Sequence, residues 1–410
     1  MIQSEQGKRI IVWVVALCSL GLFSIIFIPA SLRDAIQLLG ILIIIFFNAI
    51  YMIYDNTPRM RQYFRNEIIL FLLSTFFSMF IAYAYHHQGF GTTFIVQRFM
   101  YYYFFYFLLH NLRIKAIDLE RIVVIIGIIY AVLYVLQFAA YPFQLIDSRI
   151  NPSRGTIRIF FPGNSYMFIA YFILLQQYFT FNRLRYLLII LLFFAVGGIL
   201  QGTRQSLATM VLLTGANILF SNRVKSKFGI IFISLIGVGA LFLMFQDIFL
   251  QMFNVTRQQS QDASTNIRVM AAIFFLTDFM PAKIAYIFGN GQDSLNAAFG
   301  AQVNYYKTFY GFYQSDIGII GNYSKFGILF VVAQLSIMIR VIFGKLHRNL
   351  AYLKYFMVSV ALTMFVGGGY FGAAIDIPAI VIVVYLIDYY KNYPDPRIQM
   401  EEKNQVTKYI

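Results

Sequence analysis

The chain has 410 residues, of which 60% are hydrophobic, 19% aromatic and 12% charged, with a formal net charge of +15. A soluble domain carries about 25% charged residues, so the composition excludes a soluble globular protein and fits an integral membrane protein, for which spans rather than domains are counted. One cysteine, Cys18, excludes an intrachain disulfide and a cysteine-based zinc site. Nucleic acid is not expected as a partner, because basic loops beside apolar spans are explained by membrane topology.

Apolar stretches of about 20 residues cross a bilayer core as helices. They predict about twelve transmembrane helices, at 10–29, 35–53, 67–85, 92–110, 121–141, 164–181, 184–201, 204–220, 228–246, 315–339, 351–371 and 373–390. The first follows Lys8 and Arg9 but has no small-residue cleavage site, so it reads as a span and not as a signal peptide. Lysine and arginine are retained in cytoplasmic loops. With the N-terminus inside, the inner segments hold 21 of the 32 basic residues, and every inner segment is basic. Both termini are therefore expected in the cytoplasm.

The expected organisation is 1–246 for spans one to nine, 247–314 for one large outer loop, 315–390 for spans ten to twelve and 391–410 for a polar cytoplasmic tail. A loop as long as 247–314 tends to be functional, and its apolar stretch Met270 to Met280 predicts an ordered cap with short helices.

Topology does not ask for arginines on the outer side, which makes those residues informative. Arg149, Arg154 and Arg158 fall in the loop Ser-Arg-Ile-Asn-Pro-Ser-Arg-Gly-Thr-Ile-Arg-Ile-Phe-Phe-Pro-Gly-Asn between spans five and six. They read either as a solvated basic loop or as an anion site, because guanidinium offers paired planar donors to phosphate oxygens. Arg204 sits in Gly-Thr-Arg at the mouth of span eight, where Gly202 permits close approach of a ligand and Thr203 is a candidate helix cap. Arg268 follows Ser-Thr-Asn in the large loop.

Arg98 within span four and Lys325 in Gly-Asn-Tyr-Ser-Lys-Phe-Gly must each be paired, hydrated or poised at a cavity. Asp316 opens span ten, where its carboxylate can cap the helix, pair with an arginine or accept a proton from a sugar hydroxyl. His86 and His87 read as solvated turn residues. No Walker-type phosphate loop and no Asp-x-Asp pair in a soluble domain are present. A glycosyltransferase built this way would take its donor from the membrane, not from a nucleotide sugar.

Four stretches together resemble the Wzy-type O-antigen and capsule repeat-unit polymerases, which share a superfamily with O-antigen ligases. They are the arginine loop ending at Asn164, Gly-Thr-Arg at 202–204, Asn-Ile-Arg at 266–268 with Phe-Gly-Asn-Gly at 288–291, and Ser-Asp-Ile-Gly-Ile-Ile-Gly at 315–321 with Phe-Gly-Ile-Leu at 326–329. The resemblance covers 149–329; the first four spans add topology alone. It implies an all-α polytopic membrane protein of GT-C type at a bacterial inner membrane, acting on undecaprenyl-diphosphate-linked oligosaccharides. A chain-length regulator is a candidate partner, beside the membrane lipids.

By the same resemblance Arg204 and Arg268 stabilise the departing diphosphate, with Asp316 as the candidate base and Arg149, Arg154, Arg158, Arg98 and Lys325 as diphosphate or glycan contacts. No metal or other cofactor is expected. The ligases carry a histidine in the large outer loop, and this loop has none, which favours a polymerase. A transporter or flippase for lipid-linked glycans is the alternative from another class, using the same arginines without chemistry. The charge divides accordingly: the inner segments carry +12 and the outer ones +1, so a few outward arginines stand in a nearly neutral face.

Overall fold

The computed structural model describes residues 4–54, 60–153, 156–220, 266–364, 371–372 and 376–393. It is 77% helical, with one small sheet among the described residues, and is the fold of an all-α membrane protein. The helices are α1 (Glu5–Ser19), α2 (Ala30–Tyr54), α3 (Arg65–His86), α4 (Phe90–Val96), α5 (Phe105–Leu112), α6 (Ala116–Ala140), α7 (Asn164–Phe181), α8 (Leu184–Phe194) and α9 (Arg204–Phe220). After 221–265 they continue as α10 (Ile267–Leu276), α11 (Ala285–Phe288), α12 (Ala298–Tyr310), α13 (Ile319–Ile342), α14 (Ala351–Thr363) and α15 (Ile377–Asn392). Strands β1 (Arg149–Ser153) and β2 (Thr156–Phe160) form a hairpin between α6 and α7.

Among the described residues four helices, α2, α3, α6 and α13, are long and apolar enough to cross a membrane. The stretch at 228–246, expected as a span, lies outside the described residues. Helix α15 is buried on every side from Ile377 to Asp388, and is the central helix of the bundle. A helix apolar all round has no face to offer to water, so it is sheathed by its neighbours.

Besides the seventh, where α8 passes into a π-helical run at 195–200, three expected spans are not simple helices. The first stops at Ser19, after which Leu22, Phe23 and Ser24 take left-handed φ of 51, 60 and 55°. The chain there turns to meet 145–147, with Ile26 N–H donating to Leu145 O at 3.0 Å and Asp147 N–H to Ser24 O at 2.7 Å. The fourth is α4, a 3-10 run at Arg98–Phe104 and α5 in succession. The tighter winding aims the Tyr102 hydroxyl at Gln37 O (2.9 Å) and the Tyr103 hydroxyl at Phe371 O (2.7 Å), two bonds that a regular helix would place differently.

The tenth, α13, is broken at Gly327, whose φ of 77° and ψ of −176° are non-helical. The carbonyls freed by the break are taken by the preceding loop and by α3. Asn290 N–H donates to Ser324 O (3.0 Å), Gly291 N–H to Lys325 O (2.8 Å) and the Ser74 hydroxyl to Phe326 O. Irregular backbone inside an apolar bundle survives only where its polar groups are satisfied in this way.

Residues 266–314 form a small cap over α13. Its own apolar cluster joins Ala271 and Phe275 of α10, Phe279, Phe299 and Val303 of α12, Phe312 and Ile317. His86, at the end of α3, is part of this cap rather than a solvated turn. Its ring stacks on Phe299 with centroids 3.9 Å apart, and Nε2 lies 3.1 Å from Asn290 Oδ1. His87 is exposed and closes α3 in a left-handed cap with φ 51°.

Candidate functional site

The arginine loop folds back on the Gly-Thr-Arg turn. Residues 195–200 wind as a π-helix and Gly202 then turns left-handed at φ 59°, so the carbonyls at the end of that run need partners from outside their own helix. Strand β2 supplies them. Thr156 Oγ1 donates to Leu200 O (2.9 Å) and Arg158 Nε to Gln201 O (3.3 Å). Tyr134 of α6 fastens the strand from the other side, accepting from Ile159 N–H at 3.4 Å. The Arg158 guanidinium lies over the Phe160 ring, 4.9 Å from its centroid.

Gln201 ties in the Phe-Pro-Gly-Asn motif, its amide donating to Asn164 Oδ1 (2.8 Å) and to the Tyr130 hydroxyl (3.0 Å). Arg158, Asn164 and the Gly202–Arg204 turn, 46 residues apart from end to end, thus meet at one place. Gln201, Tyr130 and Tyr134 are site residues that the sequence did not single out. Gln201 alone had a signal, as an amide next to a glycine turn.

Gly202 is tight against this strand: a Cβ there would stand 2.5 Å from Thr156 Cγ2, at a φ that side chains disfavour. We expect Gly202→Ala to push β2 away from the turn, cutting activity at least about tenfold with a loss of stability of only about 1–3 kcal/mol. Activity and thermal unfolding of the purified variant measure the two effects separately.

The remaining expected site residues divide by their surroundings. Arg204 is the first residue of α9, and its side chain, like that of Arg149, lies outside the described set; Arg154 lies outside the described residues altogether. Thr203 does not cap the helix, since among the described residues its buried hydroxyl has no hydrogen-bond partner. Arg98 is ion-paired with Asp34, donates from Nε to Gln37 Oε1 at 3.2 Å and from Nη1 to Ile95 O at 3.0 Å. That arginine is compensated in place, as the cost of a charge at that depth requires. Arg33 is matched in the same way by Asp147.

Arg268 is the second residue of α10, whose N-cap Asn266 accepts its backbone N–H at 3.0 Å, and its side chain is exposed. Helix α10 packs on α13 and on the 3-10 turn Gln314–Ile317, which carries Asp316. Asp316 is exposed and accepts from the Ser315 hydroxyl at 3.1 Å. It does not cap α13, because Gly318 occupies that position. The start of α9 is fixed instead to α14, where Gln205 Nε2 donates to Leu362 O at 3.2 Å. Since α14 packs on α13, the broken helix stands between the elements that carry the two arginines.

Lys325, two residues before the break, borders a cavity of about 270 Å³ lined also by Val96, Gln97, Phe99, Met100, Gln292 and Phe326.

These features define a helical membrane protein with a basic hairpin laid over a helix start and a broken helix under a cap. No family model, curated protein or solved structure matches the chain.

Proposed function

We propose that the protein is a metal-independent glycosyltransferase of GT-C type that polymerises lipid-linked oligosaccharide repeat units at the outer face of a bacterial inner membrane. It transfers the growing glycan from undecaprenyl diphosphate to a sugar hydroxyl of the next lipid-linked unit. The bond between the donor's anomeric carbon and the diphosphate oxygen breaks, the acceptor hydroxyl forms the new glycosidic bond and loses its proton, and undecaprenyl diphosphate leaves.

The observation that supports this reading most is the meeting of Arg158, Asn164 and the Gly202–Arg204 turn. It sets the Arg158 guanidinium beside a helix N-terminus where a diphosphate can be held, and such fixed positive charge stabilises the negative charge that develops as the diphosphate departs. Arg268 is the second cation of the mechanism, and Asp316, on the neighbouring turn, is the candidate acceptor of the hydroxyl proton.

The break in α13 favours a second reading, a lipid-linked glycan flippase, because discontinuous helices recur where transporters bind substrate. Reconstituted protein given short lipid-linked repeat units, without metal or nucleotide sugar, should yield a ladder of longer glycans. Translocation without elongation would establish the flippase. Arg204→Ala and Arg268→Ala should each lower elongation by about 10²–10³-fold in protein that still folds; full activity in both variants would defeat the assignment of these arginines.

A further inference from the structure

The Lys325 cavity lies apart from the hairpin site and has its own chemistry. Lys325 belongs to a helix long and apolar enough to span a membrane, yet among the described residues its ammonium has no hydrogen-bond or ion-pair partner. Arg98, Arg33 and Arg340, by contrast, are each matched by a carboxylate. A charge kept in an apolar bundle without a partner marks a binding function, because its desolvation is otherwise uncompensated. Asp293, the acidic group whose charge reaches Lys325, is itself held by the Gln292 amide at 3.0 Å.

The break supplies a second attraction for an anion. At Gly327 the backbone leaves the helix and a new helical run of 15 residues starts at 328, so its positive end follows two residues after Phe326, which lines the cavity with Lys325. The rest of the lining sets the kind of ligand. Gln97 spends its amide on Thr75 O at 3.0 Å, while Val96, Phe99, Met100 and Phe326 present apolar surface. A cavity with one cation, apolar walls and a helix start close by suits a small anionic headgroup that carries a hydrocarbon tail.

We propose that this cavity is a second phosphoryl-binding site, in which Lys325 and the start of the 328–342 run hold the phosphoryl headgroup of a membrane lipid, separate from the diphosphate site at Arg158 and Gly202. The claim rests on the polymerase reading only in naming a polyprenyl diphosphate as that lipid. Under that reading it is the place of the acceptor, whose diphosphate is not cleaved and needs binding without leaving-group stabilisation.

The test is native mass spectrometry of the detergent-purified full chain, titrated with a polyprenyl diphosphate, with the neutral polyprenol and with inorganic pyrophosphate. The wild type should take up two polyprenyl diphosphate molecules and show no specific uptake of the polyprenol. Lys325→Met should weaken one of the two by about tenfold or more, Arg158→Gln should weaken the other, and Lys325→Arg should restore two. Pyrophosphate that competes only for the Lys325-dependent molecule shows that the headgroup alone is recognised; no competition shows that the tail is needed as well, and both agree with the site.

Two bound molecules in Lys325→Met, with unfolding temperature unchanged, would overturn the proposal. So would loss of the same single molecule in both the Lys325 and the Arg158 variants, or equal binding of the neutral polyprenol. The polymerase reading fails differently, as two bound lipids with no elongation.

Discussion

Gly289→Ala and Gly327→Ala should each destabilise the protein by more than about 3 kcal/mol, enough to lower the yield of folded protein sharply. The two glycines face one another's strands of backbone. A Cβ on Gly289 would stand 2.2 Å from Lys325 O, and one on Gly327 would stand 2.1 Å from Ile287 O. Neither neighbour is a side-chain end that could swing aside; both are main chain. The conformations add to the cost, because φ 76°, ψ 179° at Gly289 and φ 77°, ψ −176° at Gly327 belong to a region populated essentially by glycine alone.

Separating the two segments would also strip partners from the carbonyls of Ser324 and Lys325, leaving polar groups unpaired inside an apolar bundle. Thermal unfolding in detergent measures the effect. Gly215→Ala is the control, since its added Cβ meets nothing within 4 Å, and it should leave the unfolding temperature unchanged or slightly higher. Wild-type stability in Gly289→Ala and Gly327→Ala would show that the cap does not dock on the break as described.

Asp388→Ala should cost about 3–5 kcal/mol. The carboxylate lies near the C-terminal end of the central helix α15 and is fully buried. Oδ2 accepts from the Tyr106 hydroxyl and from Tyr63 N–H (3.1 Å), and His110 Nε2 lies 3.2 Å away. His110 Nδ1 faces Tyr106 O at 2.8 Å, a carbonyl that can only accept, so that nitrogen carries a proton.

One carboxylate therefore fastens α5, α15 and the segment before α3. The same segment is held from its other side by Arg340, which pairs with Glu67 and donates to Tyr63 O at 2.6 Å. Removing Asp388 strands a backbone N–H and a tyrosine hydroxyl inside the bundle. Asp388→Asn keeps an acceptor oxygen and should lose less than half as much. Asp316→Asn, at an exposed carboxylate, should shift stability by no more than about 0.5 kcal/mol. Equal unfolding temperatures for all three variants would count against a structural role for Asp388.

Much of the secondary structure was legible because it depends on neighbours in sequence. Apolar runs at 35–53, 67–85 and 121–141 became α2, α3 and α6, since a helix satisfies its backbone from within and the side chains need only be apolar. The candidate site was legible in part. Arg158, Asn164 and Gly202 were marked by residue type, and the structure joins them; Gln201, Tyr130 and Tyr134, which do the joining, were not, because a buried amide or phenol looks like any other core residue until its partner is known.

Arg98 shows the reverse. Its depth asked for a pair, water or a cavity, and Asp34 and Gln37, over 60 positions away, supply the pair. Asp316 resembled a helix cap by its place before an apolar run, yet the turn ends at Gly318, whose φ of 54° begins the helix instead.

The sequence by itself determined that this chain is largely apolar helix of membrane-spanning character, because hydrophobic length is a property of the chain taken in order. Only the tertiary structure decided that Phe-Gly-Asn-Gly at 288–291 is fitted against Lys-Phe-Gly at 325–327, that the helix carrying the latter is broken there, and that Lys325 is left facing a cavity. The physical reason is that a glycine or a charge declares only what it permits or needs locally, whereas the backbone that crowds the one and the partner that meets or fails to meet the other come from chain segments tens of residues away.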